Sequence, residues 1–141
     1  MHEVINHQRK IKIKLGDIRK FLENIFLTIT EADQQSAVIA FVTNRKMREL
    51  NKDFRGKDST TDVLSFPFEP DEFATETSLG DIVISLEQAQ KQAVENNLTL
   101  ELEVKQLILH GILHLCGYDH ETDNGVMSAR ELELRDKLQI N

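Results

Sequence analysis

The chain has one cysteine, Cys116, so it cannot form an internal disulfide and must rely on a buried core. A reducing compartment suits such a chain, and the cytoplasm is the expected location. Proline occurs twice and glycine six times in 141 residues, too few for a fibrous or low-complexity protein. No apolar run approaches the roughly 20 residues of a membrane span, and the start, MHEVINHQRKIKIK, is charged and polar where a signal peptide would be apolar. Neither export nor a membrane partner is expected. Positive charge is scarce in the second half: residues 61–141 carry 5 Lys+Arg against 16 Asp+Glu, whereas residues 1–60 carry 12 against 8. The net charge of −7 therefore hides a basic region, densest in NRKMRELNKDFRGK (44–57). Such a region can face a polyanion on an otherwise acidic protein, although composition alone favours a solvated helix face.

What is present reads as one domain over residues 1–141, with strand and helix patterns in alternation and no repeat or long linker. That favours an α/β or α+β layered fold. KIKIK (10–14) alternates with period two, as in an edge or half-buried strand. Ile18, Phe21, Leu22, Ile25, Phe26 and Ile29 then make one apolar helical stripe. SAVIAFVT (36–43), TDVLSFPF (61–68) and GDIVIS (80–85) read as strands, with a short basic helix over 44–51 after the first. Pro67 places the second at an end or an edge. Ser85 and Gln88 have the spacing of a capping box, opening a helix that runs to about Asn96.

A further helix begins near Thr99, and from Leu107 to Leu115 its only polar side chains are His110 and His114. At about 100° per residue these two share a face, one turn apart. Gly117 suits a left-handed helix end, after which the chain can bring His120 to the same point. One buried histidine is ordinarily a hydrogen-bonded core residue. Three at this spacing are better explained by a shared cation, because burying unpaired imidazoles is costly. Histidines at i, i+4 and i+10 with glycine at i+7 reproduce the frame of the metzincin zinc enzymes. The glutamate that serves those proteases as general base is replaced by Gly111. Glu103 lies on the histidine face, but about 10 Å away at 1.5 Å per residue, too far to substitute. Three nitrogen ligands leave a tetrahedral zinc one open position, which points to catalysis or ligand exchange. Cys116 faces away from His114 and reads as packing.

HGILHLCGYDH (110–120), FRGKDSTTDVLSFPF (54–68) and LGDIVIS (79–85), in that spacing, resemble the bacterial YbeY family of metal-dependent endoribonucleases and rRNA maturation factors. The resemblance spans residues 51–120. Ser59 and Thr60 stand where family members often have proline, which bears on the stiffness of that loop. The resemblance implies an α+β fold, a mixed four-stranded sheet with about five helices, and a metal site on a buried helix and the loop after it. It also implies one zinc or similar ion per chain on His110, His114 and His120, with Arg55 of the RGKD loop at the cleft. The catalytic residues would be Arg55 and His110. A planar guanidinium can hold a phosphate with two parallel hydrogen bonds, although an isolated arginine is more often a plain surface charge.

The TTDVLSFP strand is expected to wall the cleft, without a chemical role for Ser65 or Asp62. Asp119 and Asp123 have two readings of equal weight: partners that orient a ligand imidazole, or turn and N-cap residues. The activity implied is cleavage of single-stranded RNA in maturation of the 3′ end of small-subunit rRNA and in ribosome quality control. Partners would be ribosomal RNA, the small subunit and ribosome-assembly proteins. The competing readings are a metal-stabilised assembly factor that does not cut and, more weakly, a metalloprotease. Position 111 argues against the protease.

Overall fold

The computed structural model describes residues 2–33, 35–69, 78–119 and 121–141. Strand β1 (Glu3–Asn6) leads to helix α1 (Leu15–Thr28) and a single 3-10 turn (Thr30–Ala32). Then come β2 (Ser36–Val42), α2 (Asn44–Arg55), β3 (Val63–Pro67), β4 (Ser78–Ser85), α3 (Leu86–Glu95), α4 (Leu100–Leu115) and α5 (Val126–Leu138). The sheet order is β1-β2-β4-β3, parallel except for the antiparallel β3–β4 pair. Among the described residues this is the mixed four-stranded sheet with about five helices that the resemblance implied. None of the helices is long and apolar enough to cross a membrane among the described residues.

Side-chain alternation divides the core between the two faces of the sheet. Ala37, Ile39 and Phe41 of β2 and Ile82 and Ile84 of β4 face the main core, where α1, α4 and α5 pack. All six residues of the α1 stripe are buried there. Val42, Val83 and Leu64 face the other way and close over Met47 of α2 in a smaller cluster. Ser85 caps α3 by accepting the Gln88 N–H at 3.3 Å.

Two local readings are corrected. KIKIK (10–14) is not a strand; the first strand is β1, paired with β2. Ile11 and Ile13 do pack on the core, which explains the alternation. The Gln8 side chain, however, donates to the Ile11 carbonyl (2.8 Å) and accepts the Ile11 N–H (2.9 Å), taking both groups that a ladder would use. Secondly, α2 continues to Arg55, so this arginine lies on the last helical turn rather than in a loop. Gly56, at φ 70°, ends the helix in the left-handed conformation, and its N–H returns to the Lys52 carbonyl at 3.0 Å.

Candidate active site

Helix α4 starts where Thr99 accepts the Leu102 N–H at 3.1 Å, and runs over the sheet with Val104, Ile108, Leu109, Ile112 and Leu113 buried. Gly111 is the point of closest approach. A Cβ built there would lie 2.9 Å from Cδ1 of Ile82 and 3.1 Å from its Cγ2. Position 111 thus faces β4, with no room for the glutamate of the protease frame.

His110 and His114 lie on the same side of α4, their rings edge-to-face with centroids 4.7 Å apart. Their Nε2 atoms approach to 3.1 Å. Each Nδ1 is turned to an acceptor. That of His114 donates to the Tyr118 carbonyl at 3.1 Å, and that of His110 meets the Glu131 carboxylate from α5. A carbonyl and a carboxylate can only accept, so both Nδ1 atoms carry hydrogen, and a neutral ring then has its lone pair at Nε2. Two such lone pairs facing each other repel. A cation held between them would relieve the repulsion, and fixing Nδ1 is how proteins orient a histidine ligand.

Glu131 was not legible in the sequence, where nothing local ties it to the histidine motif. Its own surroundings are mixed. Burial pushes its carboxyl up, but the His110 hydrogen bond and the charges of His110, Arg135 and His114 outweigh this and hold it below its ordinary value. Arg135, one turn further on, reaches its other oxygen at 3.2 Å. The only advance signal was that i, i+4 acid–base pair, which is common on solvated helices.

The turn after α4 is pinned from outside the site. Gly117 takes φ 104°, and Tyr118 N–H returns to the Leu113 carbonyl at 3.1 Å. The Tyr118 hydroxyl donates to Glu31 (2.8 Å), and Arg130 of α5 grips the same carboxylate with two nitrogens at 2.7 and 2.9 Å. The Arg130 hydrogen bonds, with a smaller contribution from Tyr118, lower Glu31 to a pKa of about 2. Burial pushes the Cys116 thiol up to about 11, and its side chain packs on the main core, away from any ligand role.

His110, His114 and Arg55 line one open cleft of about 650 Å³. Its wall is β3, with Val63, Ser65 and Pro67 among the lining residues. Bonds from Ser85 N–H to the Asp62 carbonyl and from Phe68 N–H to the Leu79 carbonyl, both 3.0 Å, flank β3 and make its even-numbered residues the ones hydrogen-bonded to β4. Val63 and Ser65 therefore turn their backbone groups to the free edge. Pro67 on that side has no N–H to leave unpaired. The segment joining α2 to β3 is held by buried Asn51, which donates to the Ser59 carbonyl at 2.9 Å, and by an Arg48–Asp58 ion pair at 2.7 Å.

His120 lies outside the described residues. Its neighbours Asp119 and Glu121 both line the cleft. Asp123 has the capping role: its two oxygens accept the N–H groups of Gly125 (3.1 Å) and Met127 (2.9 Å) at the start of α5. Asp119 accepts the Glu121 N–H at 3.0 Å, a turn contact, while the Nδ1 atoms of His110 and His114 meet Glu131 and the Tyr118 carbonyl. Glu103 is 5% exposed, beside a separate cavity of about 220 Å³ that it shares with Asp62, His110 and Glu131. Burial raises its pKa, against a 3.4 Å hydrogen bond from Asn96.

The profile of the family Endoribonuclease YbeY matches residues 3–139. The Endoribonuclease YbeY of Clostridioides difficile (strain 630) is 46% identical over 114 residues, covering 77% of this chain and 74% of that protein. That of Nautilia profundicola is 44% identical over 124 residues, covering 88% and 84%. Among solved structures, the solution structure of a Thermotoga maritima protein superposes with a TM-score of 0.66 at 30% identity, covering 98% of this chain and 89% of that one.

Proposed function

This chain belongs to the Endoribonuclease YbeY family, and on that premise we propose that it is a metal-dependent endoribonuclease acting on single-stranded RNA. Its place would be the cytoplasm, in maturation of the 3′ end of small-subunit rRNA and in ribosome quality control, with the small subunit and its assembly proteins as partners. The observation that carries the reading is the convergence of Arg55 from α2 with His110 and His114 from α4 on one cleft.

The donor set fits a zinc-like ion on His110, His114 and His120, since both described imidazoles have Nδ1 engaged and Nε2 turned inward. When bound, such an ion supplies a Lewis acid that lowers the pKa of water and polarises a phosphate oxygen. Glu131 and the Tyr118 carbonyl hold the two rings in the required tautomer. Arg55 binds phosphate and offsets the negative charge that grows as the phosphodiester is attacked. The edge of β3 confines the strand. Among the described residues, Asp62, Asp119 and Glu121 bring carboxylates to the cleft lining, which would give a proton an acceptor there and Asp62 a role beyond the wall expected from the sequence.

The competing reading, an assembly factor that binds RNA without cutting it, draws on the sealed position 111. Arg55→Ala separates the two. The nuclease reading predicts a loss of cleavage well over tenfold, with metal content and melting temperature near wild type, because Arg55 is an exposed group acting on substrate charge. No cleavage by the wild type would favour the assembly factor, and unchanged cleavage by the variant would remove Arg55 from the chemistry.

A further inference from the structure

Phe54 precedes Arg55 on the last turn of α2 and is 66% exposed, whereas Met47 of the same helix is fully buried. It meets Phe66 of β3 edge-to-face, with centroids 5.1 Å apart and planes at 70°. Phe66 is on the pleat face opposite Val63 and Ser65, and packs on the smaller core. The aromatic pair therefore lies across the β3 edge from the cleft, and Phe68, 38% exposed, is next on the same pleat face. The surroundings are basic: Lys52, Arg55 and Lys57 form no ion pair among the described residues. So exposed a ring adds little to the core, while its contact with Phe66 limits the positions it can take.

Aromatic faces among unpaired cations are how proteins hold single strands, the cations tracking phosphates and the rings stacking on bases of any identity. We propose that Phe54 is a base-stacking residue, receiving the nucleobase next to the phosphate held by Arg55 as the strand leaves the cleft over the β3 edge. This inference rests on the RNA reading of the cleft. It adds a base contact on the α2 face of β3, at a residue outside the cleft lining.

The test compares wild type, Phe54→Leu and Phe54→Trp on a single-stranded oligoribonucleotide and on a series with one abasic residue at each position in turn. Leucine keeps an apolar contact with Phe66 but has no stacking face. It should raise KM about tenfold or more. The salt dependence should keep its slope, since no charge is lost. The wild type should be sensitive to base removal at one position beside the cleaved bond, and Phe54→Leu should lose that sensitivity. Because the chain contains no tryptophan, Phe54→Trp provides a single indole, whose emission should change on RNA binding while KM stays near wild type. Failure of the wild type to bind or cleave single-stranded RNA would overturn the nuclease reading and this inference together. Wild-type activity with an unchanged KM for Phe54→Leu would overturn the stacking role alone. So would a changed sedimentation coefficient in that variant with RNA binding intact, which would make Phe54 a protein contact.

Discussion

His110 and His114 each give one ring nitrogen to the protein and turn the other toward its neighbour, so the site depends on groups behind the rings as much as on the rings. Single substitutions His110→Ala, His114→Ala or His120→Ala should each empty the metal site and lower the melting temperature in the presence of metal. Full occupancy in any of them would contradict the three-ligand site. Glu131→Ala should weaken metal affinity by about 10–100-fold, as expected when the partner orienting a ligand is lost. A competition titration against a chromophoric chelator measures this, and wild-type affinity would show that His110 needs no such partner. The histidine pair was legible because helical periodicity relates positions 110 and 114. Glu131 was not, because no local rule relates residue 110 to a residue on another helix. Gly111 read in sequence as a missing base, while the structure shows a position closed by Ile82.

At the scale of elements, α4 is held in place by what its last turn touches. Glu31 from the 3-10 turn, Tyr118 after α4 and Arg130 from α5 form one bracket around the carbonyl that orients His114. With its folded pKa lowered from 4.5 to about 2, Glu31 contributes stability that is present above about pH 4.5 and lost as pH falls toward 2. Arg130→Met should remove the lowering. The stability gap between wild type and variant, measured by denaturant unfolding, should then be on the order of 2 kcal/mol near neutrality and close progressively between about pH 4.5 and 2. A gap constant over that range would mean that Arg130 acts through packing alone. Helices and strands with dense apolar periodicity, such as α1 and β2, were readable in outline. KIKIK (10–14) was not, because the pattern reports burial and cannot report that Gln8 has taken the backbone groups of Ile11. The extent of α2 was missed for a similar reason: its last residues, Lys52 to Arg55, are exposed and bury no apolar side chain, and they are held by Gly56 and by Asn51 beneath the next segment.

Over the whole molecule, the basic stretch of the sequence reaches the histidine cleft at Arg55, at the end of α2. Net charge does not describe it, and neither does the bare count of cations in 44–57. Arg48 is matched by Asp58 and Lys46 by Glu49, which leaves Arg45, Lys52, Arg55 and Lys57 outside any ion pair among the described residues. Two or three phosphate contacts would give a slope of log affinity against log salt near −1.4 to −2.1, about −0.7 for each contact with a single strand. Replacing Lys52 and Lys57 with glutamine should flatten that slope and weaken binding of all sequences alike. Salt-independent affinity would return α2 to a solvated face. The mixed sheet and the place of Arg55 at the cleft were implied by the family resemblance and the His110–His114 pair by residue spacing, whereas the β3 wall between α2 and α4 and the Glu131 contact required the tertiary fold. The account as a whole turns on whether a metal held by histidines is needed for RNA cleavage. The direct measurement is metal analysis of the purified protein together with cleavage of single-stranded RNA before chelation, after chelation and after zinc is restored. The account predicts about one ion per chain, loss of cleavage in parallel with loss of the ion, and recovery on reconstitution; undiminished cleavage by the metal-free protein would contradict it.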